Sequence, residues 1–292
     1  MYDVLVIGGA GVDSTAYVPE LPLPYADTYQ VPPVVDRIGN TGSGVALGCT
    51  ALGLRTRFAD LIGEDPQGRL IREHLAAKGV DFAWAESAAG TRRSLLLVGP
   101  DGRRTSLYDA RGVAGERLPR ELYLHPARHV HVSITDFARH VYADLDGVPI
   151  STDLHDWDGA ADYHKDFAYG SDLVFLSATK LEDPRAVMRH IRRHGRAHTV
   201  VCTDGARGCL VLTGDDDVRA VPAAPLPAPV ADSNGAGDAF VSGFLYGMLR
   251  GEPADACARL GAIAGAHACV SEGTHENPIT EATLLARAAE DA

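Results

Sequence analysis

Seven residues, Asp232-Ser233-Asn234-Gly235-Ala236-Gly237-Asp238, stand directly before the apolar stretch Ala239-Phe240-Val241-Ser242-Gly243-Phe244, which reads as the start of a helix. Gly235 and Gly237 carry no side chain to keep an anion away from the backbone. A helix N-terminus adds roughly half a positive charge. The amides of Gly235, Ala236 and Gly237 can therefore hold the oxyanions that develop as a phosphoryl group moves. Asp238, on the same turn, is placed to take the proton of an attacking hydroxyl. An ordinary helix cap needs one such residue, not Gly-Ala-Gly between two aspartates.

A second group with possible chemistry is Ser151-Thr152-Asp153-Leu154-His155-Asp156-Trp157-Asp158. It follows an apolar run, so it falls at the carboxyl edge of a strand, where open α/β sheets bind ligands. Asp153 and His155 can accept sugar hydroxyls, and Trp157 can offer its ring face or instead anchor the loop to the core. The glycines Gly8, Gly9 and Gly11 after Val4–Ile7 invite a dinucleotide-binding reading. Ser14 stands where the third glycine is required, and the prolines at 19, 22 and 24 forbid the helix that would hold a pyrophosphate. There is no G-x-x-x-x-G-K loop. His129 and His131 alternate within one strand and do not favour zinc.

These groups need elements to position them. Val4–Ile7, Val130–Ser133, Val148–Thr152, Leu173–Leu176 and Val200–Thr203 read as buried strands. Helical stretches lie between several of them, the clearest being Pro184–His194, and this implies a parallel sheet covered by helices. Gly42–Leu52 and the stretch from Asp65-Pro66 to Gly79 are two further helices, the second with proline at its first position. Ser94–Val98 and Thr105–Tyr108 form a hairpin about Pro100-Asp101-Gly102, and Cys209–Leu212 and Val218–Val221 form another about Gly214-Asp215-Asp216. Three helices close the chain: Asp238–Leu249, Pro253–Val270 and Thr280–Ala289. The predicted fold is a three-layer α/β/α core, a single domain over 1–292, with a small β-sheet lid from segments of about 13–36 and 92–110. The lid strands offer edges through which two copies could pair as a homodimer.

The 292 residues are 46% hydrophobic and carry a formal charge of −12. That excess of negative charge argues against nucleic acid and anionic membrane surfaces as partners. No apolar stretch approaches the about 18 residues of a membrane span. The five cysteines form no C-x-x-C pair and point to a reduced, cytoplasmic protein.

Asp232 to Asp238 resembles the D-T-x-G-A-G-D signature of the ribokinase or PfkB carbohydrate-kinase family, with Ser233 at the threonine. Val6-Ile7-Gly8-Gly9-Ala10-Gly11-Val12-Asp13 is similar to the family's first strand, which gives Asp13 the role of binding acceptor hydroxyls. Arg37-Ile38-Gly39-Asn40-Thr41-Gly42-Ser43-Gly44 is similar to its substrate loop, assigning Gly39, Asn40, Gly42 and Gly44 to the acceptor. Thr203-Asp204-Gly205-Ala206-Arg207-Gly208 is similar to its nucleotide loop. Thr203, Gly205 and Gly208, with Asn234 and Gly237, would then border ATP.

Two departures stand out. Gly44 occupies the place of a sugar-binding asparagine, which reads as open space suited to a bulky acceptor. Ser177-Ala178-Thr179-Lys180 occupies the place of the N-x-x-E motif that helps organise Mg²⁺, so the metal ligands stay unassigned. The loop at 151–158 and the opening Gly8–Pro24 resemble the actinobacterial branch of the family that phosphorylates the pseudo-oligosaccharide acarbose. The resemblance implies an ATP- and Mg²⁺-dependent kinase acting on a small carbohydrate-like molecule. A nucleoside kinase, with Trp157 stacking on a base, and a non-catalytic sugar or nucleotide sensor are the alternatives.

Overall fold

The computed structural model describes residues 1–109, 111–214 and 217–290. Thirteen strands are formed: β1 (Tyr2–Ile7), β2 (Gly11–Tyr17), β3 (Val35–Gly39), β4 (Thr56–Ile62), β5 (Asp81–Glu86), β6 (Arg93–Val98), β7 (Arg104–Asp109), β8 (Ala127–Val132), β9 (Ile150–Asp153), β10 (Leu173–Ser177), β11 (Thr199–Thr203), β12 (Cys209–Leu212) and β13 (Val218–Val221). Eight α-helices accompany them: α1 (Thr41–Ala51), α2 (Pro66–Ala77), α3 (Arg120–Tyr123), α4 (Lys165–Gly170), α5 (Pro184–His194), α6 (Ala236–Leu249), α7 (Ala254–Ala268) and α8 (Glu281–Glu290).

Nine strands make one sheet in the order β13-β12-β11-β10-β9-β8-β1-β4-β5, parallel except where β12 runs against β11 and β13. The inner parallel strands are largely apolar on both faces because both are covered. Val4 and Val6 join Leu173, Phe175 and Val201 in one core with Phe240, Val241 and Phe244 of α6. Leu5 and Ile7 join Val174, Leu176 and Val200 in the other, with Phe167 of α4 and Met188 and Ile191 of α5. Each such side chain contributes roughly 1.5–3 kcal/mol when fully buried. A slip of one residue in register would exchange the two cores.

The remaining four strands form a separate sheet in the order β3-β2-β6-β7. It is built from the stretches read as extended around 13–36 and 92–110, although no strand runs between Val18 and Val34. Its attachment is a buried ion pair. Asp60 of β4, fully buried, holds Arg92, just before β6, at 2.5 Å, and Leu61 donates its amide to the same carboxylate at 2.6 Å. Asp60 also accepts the amide of Ala10, in the link between β1 and β2.

Two strands were not read from the sequence. β4 was hidden because Arg57 and Asp60 break its apolar run, and β5 because it is an edge strand with no buried position. The Asp215-Asp216 turn and the final residue of the 92–110 segment lie outside the described residues. No helix among the described residues is long and apolar enough to cross a membrane, and all five cysteines are free thiols.

His129 and His131 share one hydroxyl inside the sheet. Nε2 of His129 is 2.7 Å and Nδ1 of His131 is 2.9 Å from Oγ of Ser151. Burial pushes both imidazoles down to about 3. The unfolded chain, with ordinary imidazoles near 6.5, binds more protons between that value and about 3, so stability falls as pH drops through this window. The His129→Asn, His131→Asn double variant should lose less stability on acidification through this window than the parent. Urea unfolding curves across that window provide the check, and parallel pH dependences would contradict it.

Candidate active site

The turn leading into α6 is held from both sides. Ala231 and Asp232 donate their amides to the carbonyl of Cys269 at 2.9 and 3.2 Å, and the buried Asp232 accepts the amide of Asn234 at 2.8 Å. Gly235 sits at the N-cap with φ of 80°, and a Cβ there would lie 2.9 Å from the ring of His275, so conformation and space both require glycine. No side chain caps α6. The Ala236 amide turns back to the Ser233 carbonyl at 3.3 Å, whereas those of Gly235 and Gly237 make no bond within the turn. Of the three amides expected to face an anion, Ala236's is thus already engaged. A Cβ built on Gly237 meets nothing within 4 Å, so open space lies before an uncapped helix start.

Asp238 is 8% exposed beside this space. Burial, and then the charges of Asp153 and Asp13, raise its carboxyl well above the usual range, while Arg104 opposes them. Asp13 is buried and also raised by burial, against the favourable contacts of Ser94, Arg104, Asn234 and the backbone of Asn40. Gly39 makes room for it, since a Cβ there would fall 2.2 Å from the Asp13 carboxyl. Asn234 uses both ends of its amide: the oxygen accepts from Arg104, reaching over from β7, and the nitrogen donates to Thr274. The second sheet and the start of α6 therefore meet through one polar group made of Asp13, Arg104, Asn234 and Asp238.

Other predicted residues are placed differently. Gly44 is not open space, because a Cβ there would meet His275 Cε1 at 2.2 Å and Asp238 Cβ at 2.7 Å; the glycine accommodates protein atoms rather than a bulky ligand. Gly42 serves a backbone approach, its Cβ position being 1.8 Å from the Gly8 carbonyl oxygen. Asn40 begins α1 at φ of 65°, with its side-chain nitrogen packed where Gly11 has no Cβ.

Asp153 and His155 remain at the carboxyl edge of β9, the His155 amide donating to Asp153 at 2.8 Å. Trp157 is 1% exposed within the core and its indole N–H donates to Ala161 at 3.0 Å. It anchors the loop and cannot stack on a ligand, which corrects its assignment to the acceptor.

Thr203, Gly205 and Gly208 surround a turn after β11. Gly205 (φ 53°) has nothing within 4 Å of a built Cβ, whereas a Cβ on Gly208 would strike the Val221 carbonyl oxygen at 2.1 Å. At 177–180 there is no carboxylate, and Lys180 is paired with Asp156 at 2.7 Å. No group of three or more His, Cys, Asp or Glu among the described residues is arranged to hold a metal ion. The residues present do not fit a protein-built Mg²⁺ site.

Sequence reasoning missed Arg104 and His275. Arg104 follows the Pro100-Asp101-Gly102 turn, and its only signal was a positive charge on a strand otherwise read as lid. His275 stands 3.4 Å from Asp238 and lies in a stretch without periodicity between α7 and α8.

The profile described as pfkB family carbohydrate kinase matches residues 1–281. Acarbose 7(IV)-phosphotransferase of an Actinoplanes species is 53% identical over 294 residues, covering 98% of each chain. The structure of a microbiome-derived acarbose kinase superposes with a TM-score of 0.92 at 45% identity, covering 99% of both chains. Ribokinase of Arabidopsis thaliana, solved with ribose and ATP, shares the fold with a TM-score of 0.83 at 20% identity over 98% of each chain.

The charges around Asp238 set a titration. Its carboxyl should have a midpoint above the usual range, Asp153→Asn should lower that midpoint, and Arg104→Gln should raise it. Carboxyl-labelled NMR reads this directly; a midpoint at or below about 4 in the parent would contradict it.

Proposed function

The chain belongs to the pfkB family of carbohydrate kinases, phosphotransferases with an alcohol as acceptor, and we propose that it moves the γ-phosphoryl group of ATP onto one hydroxyl of an acarbose-like pseudo-oligosaccharide. The observation that carries this reading is the uncapped start of α6 beside a buried carboxylate, in a chain 53% identical to the Actinoplanes phosphotransferase over nearly its whole length.

Asp13 accepts hydrogen bonds from acceptor hydroxyls, with Asn40 and Asp153 completing the wall. Asp238 takes the proton of the hydroxyl that attacks, which needs its carboxylate form. The amides of Gly235 and Gly237 meet the γ-phosphoryl oxygens with the helix charge behind them, and Arg104 brings a full positive charge from the other side. Thr203, Gly205 and Gly208 border the nucleotide, and Asn234 links it to the acceptor side.

The small sheet acts as the lid of a single domain. The Gly102 carbonyl in its β6–β7 turn already accepts from the Ser233 hydroxyl at 3.5 Å, so closing this sheet over the acceptor shields the reaction from water. Mg²⁺ carried in with ATP would supply charge neutralisation at the phosphates, with no residue here assigned to hold it. The free thiols support a reduced, cytoplasmic setting. With Trp157 buried, its ring is not offered to a nucleoside base.

Asp238→Asn should lower kcat by about 10²-fold or more while leaving ATP affinity unchanged. ADP release measured with acarbose, simple sugars and nucleosides should be fastest with acarbose. Undiminished turnover in the variant would remove the base, and a preference for nucleosides would remove the acceptor assignment. Absence of transfer to every acceptor by the parent would favour a sensor.

Arg104→Ala should reduce kcat/KM for ATP by about 10-fold or more, because a charge meeting the transferring phosphate is lost. Unchanged kinetics would place Arg104 outside the reaction.

A further inference from the structure

Thr274 and His275, between α7 and α8, fold back against the start of α6. His275 is in the left-handed region at φ of 61°, and its side chain is 5% exposed. Its Nε2 stands 3.4 Å from Oδ2 of Asp238 and has no hydrogen-bond partner of normal geometry. The neighbouring backbone makes room for the ring at two places: Gly44 on α1 and Gly235 in the turn are the glycines whose Cβ positions it fills. A strained backbone, two obligatory glycines and a buried unpaired ring nitrogen all disfavour this packing if the ring is filler. Local outliers of this kind cluster at functional sites.

Burial pushes the imidazole down to about 4, against the backbone of Asn40, which acts in the opposite sense as a hydrogen-bond partner. The ring is therefore neutral near pH 7 and carries one proton. With that proton on the nitrogen facing Asn40, Nε2 is left as a bare acceptor directed at Asp238. The backbone of Asn40 also contacts Asp13, so the main chain of one residue lies between the acceptor-binding carboxylate and the ring behind the base.

We propose that His275 is a positioning residue for phosphoryl transfer: Nε2 accepts a hydrogen bond from the Asp238 carboxyl once Asp238 has taken the proton of the acceptor hydroxyl. This rests on Asp238 as the base. In the step, the acceptor O–H bond breaks and its oxygen forms the new bond to the γ-phosphorus. The bond from that phosphorus to ADP breaks, with its electron pair leaving on ADP. The proton ends on Asp238. A hydrogen bond that favours the acid form makes the carboxylate a stronger base. The other charged or titratable groups facing this pair are Asp13 on β2, Asp153 on β9, Arg104 on β7 and His74 on α2. Glu276 is paired with Arg37 at 3.5 Å.

Steady-state kinetics with ATP and acarbose, together with the NMR titration of Asp238, test this on His275→Leu, His275→Gln and Asp238→Asn. His275→Leu should lower kcat by about 10- to 100-fold, with both KM values within about twofold of the parent. The Asp238 midpoint should fall in the same variant. His275→Gln, whose amide oxygen can take the place of Nε2, should recover most of the kcat.

Parent kcat and parent midpoint in His275→Leu would overturn the proposal, as would a loss carried by KM that Gln does not recover. Should the Leu variant not fold, Gln against Asn at 275 decides: Gln near the parent and Asn well below it supports the role, and equal activities overturn it. A fully active Asp238→Asn would instead show that the base assignment, and with it this role, is wrong.

Discussion

A helix that begins without a side-chain cap leaves backbone amides unsatisfied, and the site is arranged around one such beginning. The lack of a side-chain cap is shared with α1, α3, α4 and α7, whereas α2 and α5 are capped. Asp65 caps α2 by accepting the Gly68 amide at 2.8 Å, and Asp183 caps α5 by accepting that of Ala186 at 3.0 Å. α6 starts at Gly235 with no such bond, although Asp232 and Asp238 are both adjacent in sequence. A cap is worth about 1 kcal/mol. Forgoing it leaves amides and the helix charge facing open space, and the Cys269 carbonyl and the Asp232 carboxylate keep the turn in that shape.

Charge brought from elsewhere completes the arrangement. Asp13 and Asp238 are both buried, and two desolvated carboxylates near one another disfavour ionisation of either. Arg104 opposes this for both, and it comes from the small sheet rather than from the core. The same sheet carries Asp13 on β2. The joint that fixes the sheet, Asp60 with Arg92, is buried, and breaking such a pair costs about 3–5 kcal/mol. Under the proposed function, acceptor and phosphate recognition would both depend on this one clamp between the sheets.

Much of this was legible in the sequence because the informative residues are local. Gly-Ala-Gly-Asp before an apolar run specifies its turn and helix directly, and the strands β8 to β11 announce themselves as short apolar runs because both of their faces are buried. What stayed hidden depends on contacts between distant residues. β4 contains Asp60, a charge that makes sense in a strand only with Arg92 across from it. Gly44 reads as empty space until His275, some two hundred residues later in the chain, is seen to fill it. Trp157 reads equally well as a platform or an anchor, and only its burial against the core decides for the anchor.

The most direct test is a crystal structure with ADP, acarbose and a planar metal-fluoride mimic of the transferring phosphoryl group. The mimic should lie about 3 Å from the amides of Gly235 and Gly237, with an acarbose hydroxyl between it and the Asp238 carboxylate. A mimic bound away from the start of α6, or an Asp238 carboxylate that touches no acceptor oxygen, would contradict the account.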